Sequence, residues 1–86
     1  MTTATARKPT ILTAKIRESV SGNGLVTFIT DTNKTRRQSA EILEVMHFGR
    51  KAFNVRIDRG GKVHAYLANI CVDTALAAYE YACQFA

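Results

Sequence analysis

Apolar and polar residues alternate in two stretches of the first third of the chain, as they do in strands with one buried face. Apolar residues recur at every second position through much of Ile11–Val20, and Leu25–Thr30 is rich in β-branched and aromatic side chains. The Ser21–Gly24 segment between them contains residue types that tolerate positive φ. The pattern predicts a β-hairpin in which Val20 faces Leu25.

The next stretch has the pattern of a helix. Residues Thr35 to Gln38 have the S/T-x-x-E/Q form of a capping box, with Thr35 as the N-cap. Apolar residues then recur at helical spacing as far as Phe48, and Gly49 is the residue type that commonly follows a helix C-terminus. We therefore predict a first helix between the N-cap Thr35 and Gly49, whose apolar positions are Ala40, Ile42, Leu43 and Met46, with Val45 and Phe48 as further candidates.

The second half of the chain repeats the order of two strands followed by a helix. Lys51–Asp58 alternates between apolar and polar residues, and Val63–Ile70 is predicted to pair with it. Asp73 or Thr74 is a suitable N-cap for a second helix that reaches Phe85.

Two turns can connect the strands of this second hairpin, and they orient the last strand differently. A two-residue Gly60–Gly61 loop would place His64, Tyr66 and Ala68 beside the apolar residues of the preceding strand. A three-residue loop that also includes Arg59 would place Val63, Ala65 and Leu67 there and would pair Asp58 with Lys62. The second arrangement gives the more apolar buried face, so we predict the three-residue loop.

Together these elements predict an α+β fold of the order ββαββα, with a four-stranded, mainly antiparallel sheet and two helices packed on one face. Residues 1–9 are predicted to form a flexible basic arm, because they are rich in Thr and Ala and lack periodicity. Residues 10–86 are predicted to form a single α+β domain, since 86 residues is a small domain in itself.

The composition is typical of a globular protein with an anionic partner. Apolar residues make up 47% and charged residues 22% of the chain, which excludes wholesale disorder. The longest uncharged stretch near the C-terminus, Val63 to Val72, is well short of the roughly 18 residues of a membrane span. The net charge of +5 and the isoelectric point of about 9.6 favour nucleic acid as the partner, with an acidic protein surface second.

Residues with catalytic or metal-binding chemistry are sparse. The two Cys and two His residues are widely separated and match no zinc spacing, so neither a metal nor a cofactor is predicted. No nucleophile elbow, P-loop or metalloprotease motif occurs, so an enzyme is not predicted. Two cysteines, with no apolar signal stretch in Met1–Lys8, predict a cytoplasmic protein with reduced thiols.

Cations and aromatic residues are predicted to share the solvated face of the sheet. On the predicted registers this face carries Lys15, Arg17, Phe28, Thr30, Asn54, Arg56, His64 and Tyr66. Single-stranded nucleic acid uses such a surface, because phosphates bind cations and unstacked bases stack on aromatic rings. Any antiparallel sheet with a solvated face also shows polar and basic residues there, so the pattern alone does not distinguish the two.

A second basic cluster lies at the start of the predicted first helix. Lys34, Arg36 and Arg37 are at its N-terminus, where free backbone N–H groups and the helix dipole favour an anion. We predict a phosphate or carboxylate site there, although these side chains can also point into solvent or pair with nearby acidic residues. The full set of predicted nucleic-acid or anion-binding residues is Lys15, Arg17, Lys34, Arg36, Arg37, Arg50, Lys51, Arg56 and Tyr66.

The predicted second helix is apolar around most of its circumference, since Glu80 and Gln84 are its only clearly polar side chains. Such a helix is either wedged within a crowded core or packed on a second subunit. We predict a homodimer interface on this helix, formed by Leu76, Tyr79 and Cys83.

The resulting hypothesis is a small, basic, non-enzymatic protein that binds DNA or RNA through its Lys- and Arg-rich surface. The alternative is a protein-binding inhibitor or adaptor, of the kind found among phage and mobile-element accessory proteins, that docks on an acidic surface of a larger protein. Neither hypothesis involves a membrane.

Overall fold

The structure, a computed structural model, describes residues 14–22, 24–31 and 38–85. Its elements are β1 (Ala14–Ser21), β2 (Gly24–Asp31), β3 (Gln38–His47), β4 (Arg50–Arg59), β5 (Lys62–Ile70) and α1 (Ala75–Cys83). The five strands form one antiparallel sheet in the order β1-β2-β3-β4-β5, so each strand lies beside its neighbours in sequence. The predicted basic arm, residues 1–9, lies outside the described residues.

The predicted fold, with four strands and two helices, is wrong at its first helix. Gln38–His47 forms β3, the central strand of a mostly β protein. Ala40 and Ile42 are both buried and pair with Ile57 and Val55 on β4, which requires the two-residue period of a strand. Hydrogen bonding to strands on both sides outweighs the helix propensity of this segment, because propensity is a weak preference that tertiary context overrides.

The turn after β3 explains why Gly49 does not end a helix. Phe48 and Gly49 have φ angles of 51° and 77°, and the flanking residues His47 and Arg50 are paired. Positive φ at both central residues is the signature of a type I′ turn, the commonest two-residue hairpin connection. The glycine therefore joins two strands.

The predicted three-residue loop between β4 and β5 is also wrong, and the predicted buried face is correct for Ala65 and Leu67 but not for Val63, which is 62% exposed. Gly60 and Gly61, with φ of 58° and 81°, form a two-residue turn closed by the pairing of Arg59 with Lys62. A register shift between Ile57 and Asp58 then adds one residue to β5 and restores the alternation. Ala65 and Leu67 consequently pack against the core.

The strand pairing of the first hairpin and the start of the last helix agree with the sequence-based expectation, but the helix ends at Cys83 instead of Phe85. The predicted buried face of β1 is wrong, because Ile16 and Val20 are exposed. Val20 pairs with Leu25, as predicted. The helix, α1, begins after the N-cap Thr74, whose Oγ1 accepts a hydrogen bond from the backbone N–H of Ala77 at 3.1 Å.

The hydrophobic core lies between the sheet and α1. Its largest fully buried side chains come from the three central strands and from Tyr79 on the helix: Ile29, Ile42, Val55, Ile57 and Tyr79. The small residues Ala78 and Ala82 are also fully buried, which allows the helix to approach the sheet closely. Helix α1 packs mainly on β3, β4 and β5, and it leaves Ile16 and Val20 of β1 exposed.

Replacing Phe48 by Asn tests the hairpin turn between β3 and β4. Phe48 is exposed and holds a positive φ, and Asn-Gly is a favoured sequence for a type I′ turn. The variant Phe48→Asn should therefore raise the free energy of unfolding by about 1 kcal/mol, because the left-handed region costs roughly that much for residues other than Gly, Asn and Asp. Urea unfolding measures this change. In the same turn Gly49→Ala should lower the free energy, and a Phe48→Asn variant less stable than the parent would contradict the turn.

Candidate nucleic-acid interface

One row of side chains crosses the face of the sheet that lies opposite α1, which we call the open face. The strand registers pair Arg17 with Phe28, Phe28 with Glu41, Glu41 with Arg56, and Arg56 with Tyr66. Because directly paired residues of antiparallel strands project to the same side, these five side chains form a continuous cross-strand row. At about 4.8 Å between neighbouring strands, the row is roughly 19 Å long.

At one end of the row a cation lies over an aromatic ring. The guanidinium carbon of Arg17 is 4.7 Å from the centroid of the Phe28 ring. At an exposed site this contact contributes about 0.5–1 kcal/mol, which is enough to favour one orientation of a long side chain. Arg17 is exposed and Phe28 is half-buried, so the pair presents a charge to solvent with the guanidinium covering part of the aromatic ring.

The centre of the row is an ion pair. Nη2 of Arg56 is 2.7 Å from Oε1 of Glu41, and Nε of Arg56 is 3.4 Å from Oδ1 of Asp58. Oδ1 of Asp58 is buried and accepts no hydrogen bond from any described residue. Its ion pair with Arg56, at the longer of the two distances, therefore compensates its charge. The side chains of Arg56 and Glu41 are 44% and 40% exposed, and at that exposure the pair stabilises the fold little but orients the guanidinium.

Tyr66 forms the other end of the row and borders a depression in the open face. Its side chain is 59% exposed. The depression has a volume of about 150 Å³ and is lined by Glu41, Leu43, Asn54, Arg56 and Tyr66. On its margin Oδ1 of Asn54 accepts a hydrogen bond from the backbone N–H of Asn69 at 2.9 Å, which fixes the orientation of the Asn54 amide.

The structure brings together only part of the predicted basic set. Lys15, Arg17, Arg50, Arg56 and Tyr66 are on the open face, as their pairing and the alternation of the strands require. Lys51 pairs with Met46 and projects to the side of the sheet that carries α1. Sequence reasoning missed Glu41, because it assigned this residue to a helix.

The predicted anion site at the start of a helix loses its physical basis. Lys34, Arg36 and Arg37 lie outside the described residues, and the chain that follows them is the strand β3. Gln38, the last residue of the predicted capping box, is therefore the first residue of a strand. No helix dipole and no free helical N–H groups are present there to bind an anion.

Charge is distributed unequally over the molecule. Within the described residues seven Lys and Arg are balanced by seven Asp and Glu, so the five cations behind the net charge of +5 belong to residues 1–13 and 32–37. The open face carries four of the seven described cations but only two of the seven acidic residues, Glu41 and Asp58. Among described residues it is therefore the more basic side of the sheet.

A buried polar cluster on the helix side has a structural role. The amide of Gln38, only 3% exposed, donates from Nε2 to the hydroxyl of Tyr79 at 2.7 Å and to Sγ of Cys83 at 3.5 Å. Its Oε1 accepts from Nε of Arg59 at 2.8 Å. Burial raises the pKa of Tyr79 well above its ordinary value of about 10, so the hydroxyl stays protonated. The cluster links the start of β3, the end of β4 and the C-terminal half of α1.

The residues predicted for a homodimer interface face the protein's own core. Tyr79 is fully buried, and Leu76 and Cys83 pack against the core as half-buried residues. A side chain enclosed by its own chain does not contact a second subunit, so Tyr79 is not available for that role. The exposed aromatic residues at this end of the chain are Tyr81 and Phe85, whose ring centroids are 5.0 Å apart.

Residues 14–22, 24–31 and 38–85 contain no group of three or more His, Cys, Asp or Glu side chains placed to hold a metal ion. The same described segments contain no helix that is long and apolar enough to cross a membrane. No protein-family model, curated protein or solved structure matches the chain, so the geometry of the molecule alone supports the functional argument.

Removing the hydroxyl of Tyr79 tests the buried polar cluster. The variant Tyr79→Phe leaves one donor of the buried Gln38 amide without its oxygen acceptor, so the free energy of unfolding should fall by about 1–2 kcal/mol. Urea unfolding at neutral pH measures it. Tyr81→Phe is the matched control on the same helix, since Tyr81 is exposed, and its effect should stay within about 0.5 kcal/mol. Equal losses in both variants would contradict the role of the cluster.

Tyr79 also predicts how the free energy of unfolding changes with pH. Above about pH 10 the unfolded chain loses the Tyr79 proton while the folded protein keeps it, because the folded pKa is raised. The unfolded state then binds fewer protons than the folded state. The contribution of Tyr79 to the free energy of unfolding is therefore fully present below about pH 10 and decreases as the pH rises above it. The stability of Tyr79→Phe should depend less steeply on pH in that range.

Proposed function

We propose that the protein binds single-stranded nucleic acid on the open face of its sheet and acts by binding alone. The observation that carries this proposal is the cross-strand row, in which two arginines and two aromatic rings lie on one line across all five strands. Lys15 and Arg17 would contact phosphates and Tyr66 would stack with a base, and Phe28 would stack with a second base once the Arg17 guanidinium moves from its ring to a phosphate. Such a combination of cations and stacking surfaces is what proteins use for single strands.

The shape of the surface favours a single strand over a duplex. The major groove of duplex DNA admits a helix or a two-stranded ribbon, whereas a five-stranded sheet face is too broad for it. An aromatic ring can stack only on a base that is already unstacked from its neighbours. Phe28 and Tyr66 are three strand spacings apart, about 14 Å, so a strand crossing the sheet passes over both rings. Each stack contributes about 1–3 kcal/mol.

The acidic residues of the open face compensate the charge of one of its cations but not of the others. Glu41 and Asp58 pair with Arg56, so the charge of Arg56 is largely compensated and its orientation is fixed. Arg17 has its guanidinium over Phe28, and Lys15 lies two residues away on the same face of β1. We therefore assign phosphate contact mainly to β1. The overall charge of +5 favours the approach of any polyanion.

Fluorescence anisotropy with labelled single-stranded DNA, duplex DNA and RNA across a salt series tests the proposal. We expect single strands to bind more tightly than duplex, with log K falling linearly against log salt. Absence of binding at low salt would overturn the proposal, and the alternative of an inhibitor or adaptor that docks on an acidic protein surface would then be pursued. Tighter binding to duplex would contradict the open face as the site.

Two matched pairs of variants locate the binding surface. Tyr66→Ala should cost about 1–3 kcal/mol of binding free energy by removing one stack, whereas Tyr81→Ala, on the helix, should cost little. Arg17→Ala should lower the magnitude of the salt slope by about 0.7, the value for one phosphate contact on a single strand. Lys51→Ala removes the same charge from the other side of the sheet and should leave the slope unchanged. Equal effects within either pair would show that general charge or stability, and not the row, controls binding.

A further inference from the structure

The depression beside Tyr66 has the polar groups of a site that recognises a base. It lies between Tyr66, which offers an exposed aromatic ring, and Leu43, which adds an apolar surface. Three polar side chains complete its lining: Glu41, Arg56 and Asn54. Proteins that read unpaired bases combine a stacking ring with hydrogen bonds to the edge of the base, and both components are present here.

Existing contacts determine which hydrogen-bonding groups of the depression remain for a ligand. The ion pairs of Arg56 use Nη2 and Nε, which leaves the donors of Nη1. Glu41 uses Oε1 for Arg56, which leaves Oε2 as an acceptor. Asn54 uses Oδ1 to accept from Asn69, which leaves the donors of Nδ2. Among described residues the depression therefore offers one carboxylate oxygen that Arg56 does not engage, two kinds of donor, and the hydroxyl of Tyr66, which can donate or accept.

We propose that this depression binds one unpaired cytosine base of a single-stranded nucleic acid. The edge of cytosine carries one amino donor at N4 followed by two acceptors, N3 and O2, which complements one acceptor and two donors. A carboxylate that accepts from cytosine N4 is an established form of base readout. The inference rests on the proposed function, because a base reaches the depression only if a strand lies on the open face.

The other bases complement these groups less well. Uracil and thymine have a carbonyl oxygen where cytosine has its amino group, so that oxygen would face the carboxylate of Glu41. Adenine supplies an amino donor and one acceptor but has no counterpart of O2. Guanine would present two adjacent donors, and the depression has only one carboxylate oxygen that is not already engaged by Arg56. The strongest contrast is therefore between cytosine and uracil, which have the same ring size.

The test compares oligocytidine and oligouridine of equal length, with the corresponding deoxycytidine and thymidine strands as DNA arms, by anisotropy at neutral pH. We expect cytosine strands to bind about tenfold more tightly, within the discrimination that one well-placed set of base contacts gives. In Glu41→Gln the ratio should approach one, since the amide can turn either its oxygen or its NH2 group toward the base. The readout is a ratio, so a general gain in affinity from the lost negative charge does not affect it.

Glu44→Gln is the matched control. Glu44 is on the same strand but pairs with Phe53 on the helix side, so this variant removes the same charge and should keep the preference for cytosine. Equal affinity of the unaltered protein for cytosine and uracil strands, with clear salt dependence, would overturn the base site and leave the proposed function standing. Failure to bind any strand would overturn both. The ratio in the unaltered protein is decisive by itself, so the proposal remains testable if Glu41→Gln does not fold.

Discussion

Hydrogen bonding between β3 and β4 pairs Ile42 with Val55 and, one position along, Glu41 with Arg56. The first pair is fully buried beneath α1, and the second forms the ion pair at the centre of the open face. Because side chains alternate across a sheet, a slip of one residue would place charges in the core and apolar groups in solvent. Burial of the aliphatic pair therefore fixes the register of the charged pair. Packing in the core thus determines which side chains lie side by side on the open face.

The first hairpin, the last two strands and the last helix could be predicted because their local signals agree with their tertiary environment. The segment 38–47 could not, because Ala, Glu, Leu and Met favour a helix there while Ala40 and Ile42 alternate as in a strand. Because of that ambiguity the sequence did not place Glu41 in the cross-strand row of the open face. Arg17, Phe28, Arg56 and Tyr66 could be assigned to the solvated face from the sequence, but the row is continuous only once Glu41 is placed between them.

Helix α1 shows the same limit of local patterns. Its nearly apolar circumference indicates extensive burial but does not say against what. In the structure Ala78 and Ala82 bring the helix close to the sheet, and Tyr79 reaches Gln38 through the core. A long-range hydrogen bond between residues 41 positions apart carries no signature in sequence spacing. The polar tip of Tyr79 is nonetheless accommodated, because a buried hydroxyl requires a partner and Gln38 provides one.

The described part of the chain has seven cations and seven acidic residues. Because of this balance, the salt dependence of folding and the salt dependence of polyanion binding need not go together. A domain with a large excess of one sign repels itself, and salt then stabilises its compact state while weakening its complexes. Here the sheet and helix have no such excess, so ionic strength should scarcely alter folding. In the proposed complex a polyanion would also be attracted by the excess positive charge of the whole chain, so its affinity would fall as the salt concentration rises. If the proposed function holds, ionic strength would release the polyanion from a protein that stays folded.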